Sequence, residues 1–233
     1  MIDIVKLSKG FGTRTLWSDV TVTVNPGELL ALVGPSGSGK STLLNCIGLL
    51  DRPSAGQILH AGKDMTQFGR REIRHFRRDV LGYLFQNYAL IENATVAANL
   101  EVATKPQRSA RGKAGMAIAE ALERVGLAGR EKEMIHHLSG GEQQRVALAR
   151  IMVKKPAVVL ADEPTGALDH ANATTVIDIL REMSDAGCAV VIATHDDRVR
   201  DRCDAAFAVH ENALVTQAPT KPEGAPAEQV SAS

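Results

Sequence analysis

The stretch GPSGSGKS at residues 34–41 has the residue types and spacing of a loop that binds phosphate. Its glycines permit backbone conformations that turn successive N–H groups inward as an anion nest. A helix expected to start near Lys40 adds its positive end, the Lys40 ammonium reaches the β and γ phosphates, and the Ser41 hydroxyl can bind Mg²⁺. The predicted nucleotide loop comprises Gly34, Pro35, Ser36, Gly37, Ser38, Gly39, Lys40, Ser41 and Thr42.

A second loop of similar chemistry, LSGGEQQR, occupies residues 138–145. Ser139 and Glu142 have the spacing of a capping box, so we expect Ser139 to begin a helix. Gly140 and Gly141 leave the backbone N–H groups of that helix end uncovered, which makes a second anion site. One nucleotide in the first loop does not need this second site, so its presence requires a separate explanation.

Two acids follow a continuous apolar run in VVLADEP, residues 158–164. Asp162 is expected at the carboxyl end of a parallel strand, where ligands bind in open α/β sheets, and is the expected partner of Mg²⁺. Glu163 would project from the strand tip, where a carboxylate can polarise a water in line with the γ-phosphate. The alternative is that both acids are solvated residues closing the strand.

Two further polar residues, Gln86 and His195, each end an apolar run. If these runs are strands of the same sheet, both side chains reach the edge that carries the phosphate loop. The His195 imidazole can there contact the γ-phosphate, and the Gln86 amide can touch Mg²⁺ or water. By itself, however, a histidine at a strand end is more often structural.

The elements that position these residues alternate between strand and helix patterns. Continuous apolar runs typical of buried parallel strands occupy residues 28–34, 157–162 and 189–194, and residues 19–24 alternate like a half-buried strand. Between the last two runs, Val176, Ile177, Leu180 and Met183 recur at helical spacing, with Gly187 as a cap. Strands alternating with helices predict a parallel sheet covered on both faces, which disfavours a chance glycine-rich turn at residues 34–41.

Residues 87–151 contain no strand-like run and are predicted to form a helical lobe inserted in the α/β core. Within it, residues 110–126 are expected to be helical, ending at Gly126, with one apolar face formed by Ala119, Leu122 and Val125. The last segment, residues 216–233, lacks apolar periodicity and is predicted to be disordered.

The charge balance disfavours a nucleic-acid binder, because the 27 Lys and Arg residues equal the 27 Asp and Glu residues. Five arginines cluster in RREIRHFRR, residues 70–78. They form either a solvated helix face or a surface facing anionic lipid or an acidic partner. Cys46, Cys188 and Cys203 lie in unrelated contexts, which favours a reduced cytosolic protein. The sequence offers no signal peptide and no apolar run long enough to span a bilayer.

Together these segments resemble the nucleotide-binding subunits of ABC transporters. The resemblance covers about residues 1–215 and rests on six matches in the family's order: GPSGSGKS (34–41), Gln86, LSGGEQQR (138–145), VVLADE (158–163), GALD (166–169) and His195. It implies an α/β fold with a RecA-like P-loop NTPase core, an N-terminal antiparallel β subdomain and an inserted α-helical subdomain. The implied division is a core of residues 1–86 and 152–215 with a helical subdomain of residues 87–151.

The resemblance also implies roles for individual residues. Glu163 matches the family's catalytic base, and Gln86 and His195 match its glutamine and histidine switches. Asp169 falls in a loop that crosses the dimer interface, and Phe11 falls where the family stacks an aromatic ring on adenine. Tyrosine is more usual at that position, but Phe11 keeps the ring that stacking requires.

One departure from the family pattern lies just before the second loop. The family often has a proline there, whereas this chain has Ile135, His136 and His137. We interpret this as a local change in the approach loop that leaves the signature intact. A metal site at the two histidines is not expected, because adjacent residues rarely point the same way.

The resemblance explains the second loop by pairing two copies of the chain. Two subunits pack head to tail, so that Ser139, Gly140 and Gly141 of one meet the γ-phosphate held by Lys40 of the other. ATP and Mg²⁺ are the implied ligands, and an integral membrane permease is the implied partner. The implied location is the cytoplasmic face of the cell membrane, with the ATPase bound peripherally.

Within the superfamily, the chain resembles ATPases of lipoprotein-releasing, macrolide-exporting and antimicrobial-peptide-exporting systems. An ATPase that drives export of a peptide, lipoprotein or hydrophobic compound is therefore the first hypothesis. A regulatory ATPase that signals through a membrane partner, for instance to control cell-wall hydrolysis, stays open. Soluble ABC ATPases of DNA repair or translation are disfavoured, because they need coiled-coil arms or two cassettes in one chain.

Overall fold

The computed structural model describes residues 1–104, 111–166, 168–210 and 213–215. The strands are β1 (Ile2–Phe11), β2 (Arg14–Val24), β3 (Leu29–Val33), β4 (Ala55–His60), β5 (Lys63–Asp64), β6 (Leu81–Leu84), β7 (Val158–Asp162), β8 (Ala189–Ala193), β9 (Ala205–Ala208) and β10 (Ala213–Val215). The helices are α1 (Lys40–Ile47), α2 (Arg70–His75), α3 (Val96–Glu101), α4 (Arg111–Arg124), α5 (Gly140–Lys154), α6 (His170–Asp185) and α7 (Asp197–Arg200). The segment predicted to be disordered, residues 216–233, lies outside the described residues.

Two sheets make up the framework. An antiparallel sheet has the strand order β2-β1-β4-β5, and a larger sheet has the order β10-β9-β3-β8-β7-β6. In the larger sheet β9, β3, β8, β7 and β6 run parallel, and β10 pairs antiparallel with β9. The predicted α/β class, with a mostly parallel sheet and an antiparallel β region near the N-terminus, is confirmed.

Apart from Tyr83 in β6 and Asp162 at the end of β7, the parallel strands consist of apolar residues, because both of their faces are covered. Side chains alternate along a strand, so neighbouring residues of β7 enter different cores. Val158 and Leu160 pack in the core that contains α1 and the antiparallel sheet, whereas Val159 packs in the core that contains α5 and α6. Burying one such side chain stabilises the fold by about 1.5–3 kcal/mol, so the paired cores fix the sheet rigidly.

The chain between β6 and β7 carries α3, α4 and α5, as the sequence predicted for a helical segment. In its described residues the β pairing is one isolated bridge between Thr95 and Met134. The predicted apolar face of α4 was partly wrong, because Ala119 is exposed. Among the residues of α4 whose burial is described, the apolar residues Ile118, Ala121 and Leu122 are buried, as is Val125 directly after the helix. Because alanine is small, it fits on either the buried or the exposed face of a helix, and the sequence pattern does not show which face it occupies.

The arginine-rich stretch forms α2 and the turn after it. Arg70, Arg71 and Arg74 are exposed, while Arg77 donates hydrogen bonds to the carbonyls of Gly48 and Leu49. All three cysteines are free thiols. None of the described helices combines the length and the apolarity needed to cross a membrane.

The close approach of β4 to β1 depends on Gly56. A Cβ at this residue would lie 2.2 Å from the Lys6 carbonyl oxygen, and its φ is +85°. Gly62 has a similar φ of +78° but nothing within 4 Å of an added Cβ. We expect Gly56→Ala to lower the free energy of unfolding by about 3 kcal/mol, and Gly62→Ala by about 1 kcal/mol. Urea denaturation checks this, and equal losses would contradict the backbone contact.

Candidate active site

A cavity of about 1020 Å³ opens at the carboxyl-end edge of the parallel sheet. Parallel strands bring their carboxyl ends to one edge, so the segments after β3, β6, β7 and β8 converge there. The cavity is lined by Phe11, Arg14, Leu16, Ser36, Gly37, Gly39, Lys40, Ser41, Thr42, Gln86, Gln144, Glu163, Gly166 and His195. Most of the predicted site residues are therefore brought together in one place.

The predicted phosphate loop connects β3 to α1 and forms one wall of the cavity. Gly34, Gly37 and Gly39 have φ values of +145°, +78° and +91°, conformations that favour glycine. At Gly39 an added Cβ would lie 2.7 Å from both Leu16 Cδ2 and Trp17 Nε1. A side chain at this position would therefore push the loop away from β2.

Lys40 begins α1 directly after this loop. Its side chain is buried, and Nζ donates to the carbonyl oxygens of Gly34 at 2.9 Å and Pro35 at 3.2 Å. These hydrogen bonds fix the Lys40 ammonium against the main chain of the loop, at the wall of the cavity. Together with the start of α1, this arrangement favours a polyanionic ligand.

Ser41 lines the cavity and forms an oxygen pair with Asp162, which lines a second, smaller cavity. Ser41 Oγ donates to Asp162 Oδ1 at 2.9 Å, which joins the first turn of α1 to the end of β7. Burial raises the pKa of the Asp162 carboxyl, and the hydrogen bond from Ser41 lowers that pKa in part. One hydroxyl and one carboxylate are ligands that suit Mg²⁺, which completes its shell with water and phosphate oxygens.

Glu163 and His195 contact each other at the cavity. His195 Nδ1 lies 2.9 Å from Glu163 Oε1; the glutamate side chain is largely buried and the imidazole is exposed. Glu163 has a φ of +47°, and its N–H donates to the Ala193 carbonyl at 2.9 Å. A non-glycine residue in this conformation is strained, and such strain is concentrated at functional sites.

Gln86 follows β6 and is exposed. It lines the main cavity and also a smaller cavity of about 480 Å³. The smaller cavity is lined by Asn45, Leu50, Tyr83, Phe85, Gln86, Asn87 and Asp162. Gln86 therefore borders both the cavity of the candidate site and the smaller cavity.

Phe11 lies at the outer rim of the cavity, with 56% of its surface exposed. The ammonium of Lys9 lies 4.8 Å from the centre of its ring. Lys9 is itself buried, where it pairs with Asp51 at 2.7 Å and donates to the carbonyl of Arg52. One side of the ring is thus backed by a fixed cation, and the ring borders the cavity.

Four lining residues were not predicted as site residues from the sequence: Arg14, Leu16, Gln144 and Gly166. Arg14 pairs with Phe11 across the β1–β2 hairpin, so recognising the tight turn in FGTR would have placed Arg14 and Leu16. Gly166 and Gln144 lie within the GALD and LSGGEQQR stretches, but neither stretch indicates by itself that these residues reach the cavity. Gln144 Nε2 donates to the carbonyl of Pro164, a contact that exists only because α5 packs beside the loop after β7.

Ser139, Gly140 and Gly141 of the second glycine loop do not line this cavity, although Gln144 of the same stretch does. Ser139 caps α5 as predicted: its hydroxyl accepts from the Glu142 N–H, and Glu142 Oε2 accepts from the Ser139 N–H. Ser139 and Gly140 are exposed. Asp169, which caps α6, is also exposed and outside the cavity lining. The chain thus presents a second open helix N-terminus away from its own phosphate loop.

The segment before this loop, where the family proline is replaced, forms a short 3₁₀ turn over Ile135–His137. His136 Nδ1 lies 3.2 Å from the Glu92 carbonyl oxygen, and the two histidine rings meet edge to face. Among the described residues, no group of three or more His, Cys, Asp or Glu side chains is arranged to hold a metal ion.

Comparison with known proteins identifies the family and the fold. The family described as "ABC transporter" matches residues 17–166, which span the phosphate loop, the second glycine loop and the acids after β7. This chain belongs to the ABC transporter family. The family predicted from the motifs is therefore confirmed.

Relatives of this ABC chain include export proteins. The macrolide export ATP-binding/permease protein MacB of Rhodopseudomonas palustris is 40% identical over 220 residues, which are 93% of this chain and 33% of the relative. The pyoverdine export ATP-binding/permease protein PvdT of Pseudomonas entomophila is 38% identical over 220 residues, or 91% of this chain and 33% of the relative. The chain thus spans about a third of the length of these relatives.

Solved ABC structures share the whole fold. The dimeric structure of the bacterial ABC transporter cassette MJ0796 has a TM-score of 0.83 and 32% identity, and covers 89% of this chain and 94% of the cassette. A post-hydrolysis state of the same cassette, bound to ADP and Pi, has a TM-score of 0.84 and 31% identity. This match covers 93% of this chain and 97% of the cassette.

The buried carboxyl of Asp162 makes a test of pH dependence possible. Because burial raises its pKa, the folded chain binds this proton more tightly than the unfolded chain, and stability is lost as pH rises through the folded pKa. Asp162→Asn should therefore raise the Tm of the nucleotide-free protein at pH 7 by about 2–4 °C. The gain should shrink as the pH falls toward about 4.

The control for this prediction is Asp185→Asn. Asp185 is exposed, so the same chemical change should leave Tm unaltered at either pH. Thermal unfolding at pH 5 and pH 7 measures both variants. A lower Tm for Asp162→Asn at pH 7 would contradict the expected cost of the buried carboxylate.

Proposed function

We propose that this chain is an ATP-hydrolysing subunit that works as a head-to-tail dimer and drives a separate membrane permease. The observation that carries the proposal is the Glu163 carboxylate, 2.9 Å from His195, at a cavity walled by the phosphate loop. A nucleophile-activating base next to a polyphosphate cradle is what phosphoanhydride hydrolysis requires.

The phosphate loop holds the triphosphate through the main-chain N–H groups of residues 36–42 and the Lys40 ammonium. The exposed face of Phe11 stacks on adenine. Ser41 and Asp162 would hold Mg²⁺, which neutralises charge on the β and γ phosphates when bound, and the Gln86 amide would complete that shell directly or through water. This set of oxygen ligands fits the ion, since Mg²⁺ takes few ligands from protein.

Glu163 acts as the general base. Its carboxylate takes a proton from a water molecule, and the oxygen of that water attacks the γ-phosphorus as the bond to the ADP oxygen breaks. His195 orients the carboxylate through its Nδ1 contact and is placed to contact the γ-phosphate. The products are ADP and inorganic phosphate.

The second glycine loop supplies the reason for a dimer. Ser139, Gly140 and Gly141 lie outside the cavity of their own chain, at a helix N-terminus that attracts anions. In a head-to-tail pair they meet the γ-phosphate held by Lys40 of the other copy, and Asp169 lies at the same interface. The dimeric structure of a cassette 32% identical to this chain supports the arrangement.

We further propose that the chain has two parts, a core of residues 1–86 and 152–215 and a helical lobe of residues 87–151. A membrane permease would dock on the lobe near residues 86–100, beside the smaller cavity that Gln86 also lines. This places the ATPase on the cytoplasmic face of the membrane. Relatives named as macrolide and pyoverdine exporters favour export over a purely regulatory role.

The first test is Glu163→Gln, which keeps the shape of the side chain but removes the base. We expect kcat to fall by at least about 100-fold, and the variant to accumulate as a dimer with ATP and Mg²⁺ because the bridging nucleotide is not cleaved. Light scattering after gel filtration measures the mass, with ADP as the control ligand. A monomer at saturating ATP and Mg²⁺ would refute the dimer.

The second test is Ser139→Arg, which blocks the exposed helix N-terminus. We expect ATPase activity to be lost, while one ATP still binds each monomer with its affinity changed less than about twofold. Ala119→Arg, an exposed position on α4, controls for the added charge. Loss of ATP binding to the monomer would mean that Ser139 serves the site of its own chain.

A further inference from the structure

The loop after Gln86 has a strained backbone. Tyr88 and Ala89 have φ values of +62° and +48°, in the left-handed region that residues with side chains rarely adopt. The Ala89 N–H donates to the Asn87 carbonyl at 2.7 Å, which closes a three-residue turn around Tyr88. Turns of this kind with a positive φ are rare and strained, so something outside the loop must hold them.

Arg150, on α5, stabilises this strained turn from outside the loop. Its Nη1 donates to the Ala89 carbonyl at 2.7 Å and its Nη2 to the Tyr88 carbonyl at 3.0 Å. The planar guanidinium group thus forms hydrogen bonds to the main chain of both strained residues. Because these bonds use carbonyl groups, they fix the path of the loop and not the identity of its side chains.

The same loop also touches the beginning of α5. A Cβ built on Gly140 would lie 3.2 Å from the Tyr88 hydroxyl oxygen, so Tyr88 reaches the second glycine loop. Further along, Asn99 on α3 holds Ile91, accepting from its N–H at 2.7 Å and donating to its carbonyl at 3.1 Å. Residues 88–91 are therefore fixed to the helices, whereas Gln86 and Asn87 remain exposed.

We propose that Arg150 is a positioning residue that fastens the Gln86 loop to α5. Gln86 in one nucleotide cavity and Gly140, which faces the partner's nucleotide, then move as one body. This inference rests on the proposed dimer and deepens it, because it makes each chain a link between the two nucleotide sites. Arg150 acts through the loop and touches no nucleotide itself.

The chain offers a closely matched control in Lys154. It lies on the same helix, and its Nζ also binds two main-chain carbonyls, those of Arg77 at 2.7 Å and Leu81 at 2.6 Å. These carbonyls precede and begin β6 and do not belong to the Gln86 loop. Lys154→Met therefore removes a comparable helix-to-backbone clamp without releasing that loop.

The experiment compares Arg150→Met, Ala89→Gly, their double variant and Lys154→Met in the full chain. We expect Arg150→Met to lower kcat about tenfold and to leave the ATP affinity of the monomer within about twofold. Glycine adopts the left-handed region without strain, so Ala89→Gly should restore kcat of Arg150→Met by at least about threefold. Lys154→Met should keep kcat within about twofold of the parent chain.

A double-mutant cycle tests whether Arg150 acts through Gln86. If it does, adding Arg150→Met to Gln86→Ala should lower kcat by no more than about a further twofold. Three outcomes would each overturn the inference. In the first, the kcat losses of Gln86→Ala and Arg150→Met multiply in full in the double variant. In the others, Ala89→Gly fails to restore kcat, or Lys154→Met lowers kcat as much as Arg150→Met does. Each would show that Arg150 stabilises the fold without positioning the loop.

The proposed function and this inference fail separately. If Glu163→Gln with Arg150 intact does not dimerise with ATP, the proposed function is wrong whatever the Arg150 variants do. If that dimer forms and Arg150→Met hydrolyses ATP at the parent rate, the dimer stands and the positioning role is overturned. With Arg150→Met added to Glu163→Gln, we expect half-maximal dimerisation to need about tenfold more ATP.

Discussion

The parallel register of β3, β8, β7 and β6 is the constraint on which the rest of the molecule depends. Leu32 pairs with Ala193, and Ala193 pairs with Asp162, so three strands end within one row of the sheet. Each segment that follows a strand then delivers one chemical group to the same edge: a phosphate nest, a carboxylate pair, an imidazole or an amide. The two buried cores hold this register, because a slip of one residue would exchange the side chains of both faces.

The sequence predicted the parts of this arrangement that are encoded locally. Apolar runs on both faces marked the parallel strands, and the serine and glutamate at capping-box spacing located the start of α5 correctly. Failures occurred where the answer depends on distant residues. Ala119 was placed on a buried face it does not occupy, because alanine fits either face of a helix. Gln144 reaches the cavity through the packing of α5 against the loop after β7, which no short sequence pattern encodes.

The two anion-attracting helix ends lie at different sites, because α1 begins at the wall of the cavity and Ser139 and Gly140 do not line it. Under the proposed function, this geometry separates nucleotide binding from hydrolysis. The loop at residues 34–42 has its own cation and its own acids, so one chain has all the groups needed to hold a nucleotide. Ser139 and Gly140 are exposed and do not line the cavity of the phosphate loop. In the proposed dimer the rate of hydrolysis would depend on assembly, since an isolated chain would lack part of the charge stabilisation around the γ-phosphate.

Trp17 adds a practical property to the phosphate loop. It is the chain's single tryptophan, it is 5% exposed, and its indole nitrogen would lie 2.7 Å from a Cβ added to Gly39. All indole emission therefore originates beside the phosphate loop. The protein contains a built-in optical reporter of that loop, and its natural fluorescence can follow loop rearrangement in real time without any attached dye.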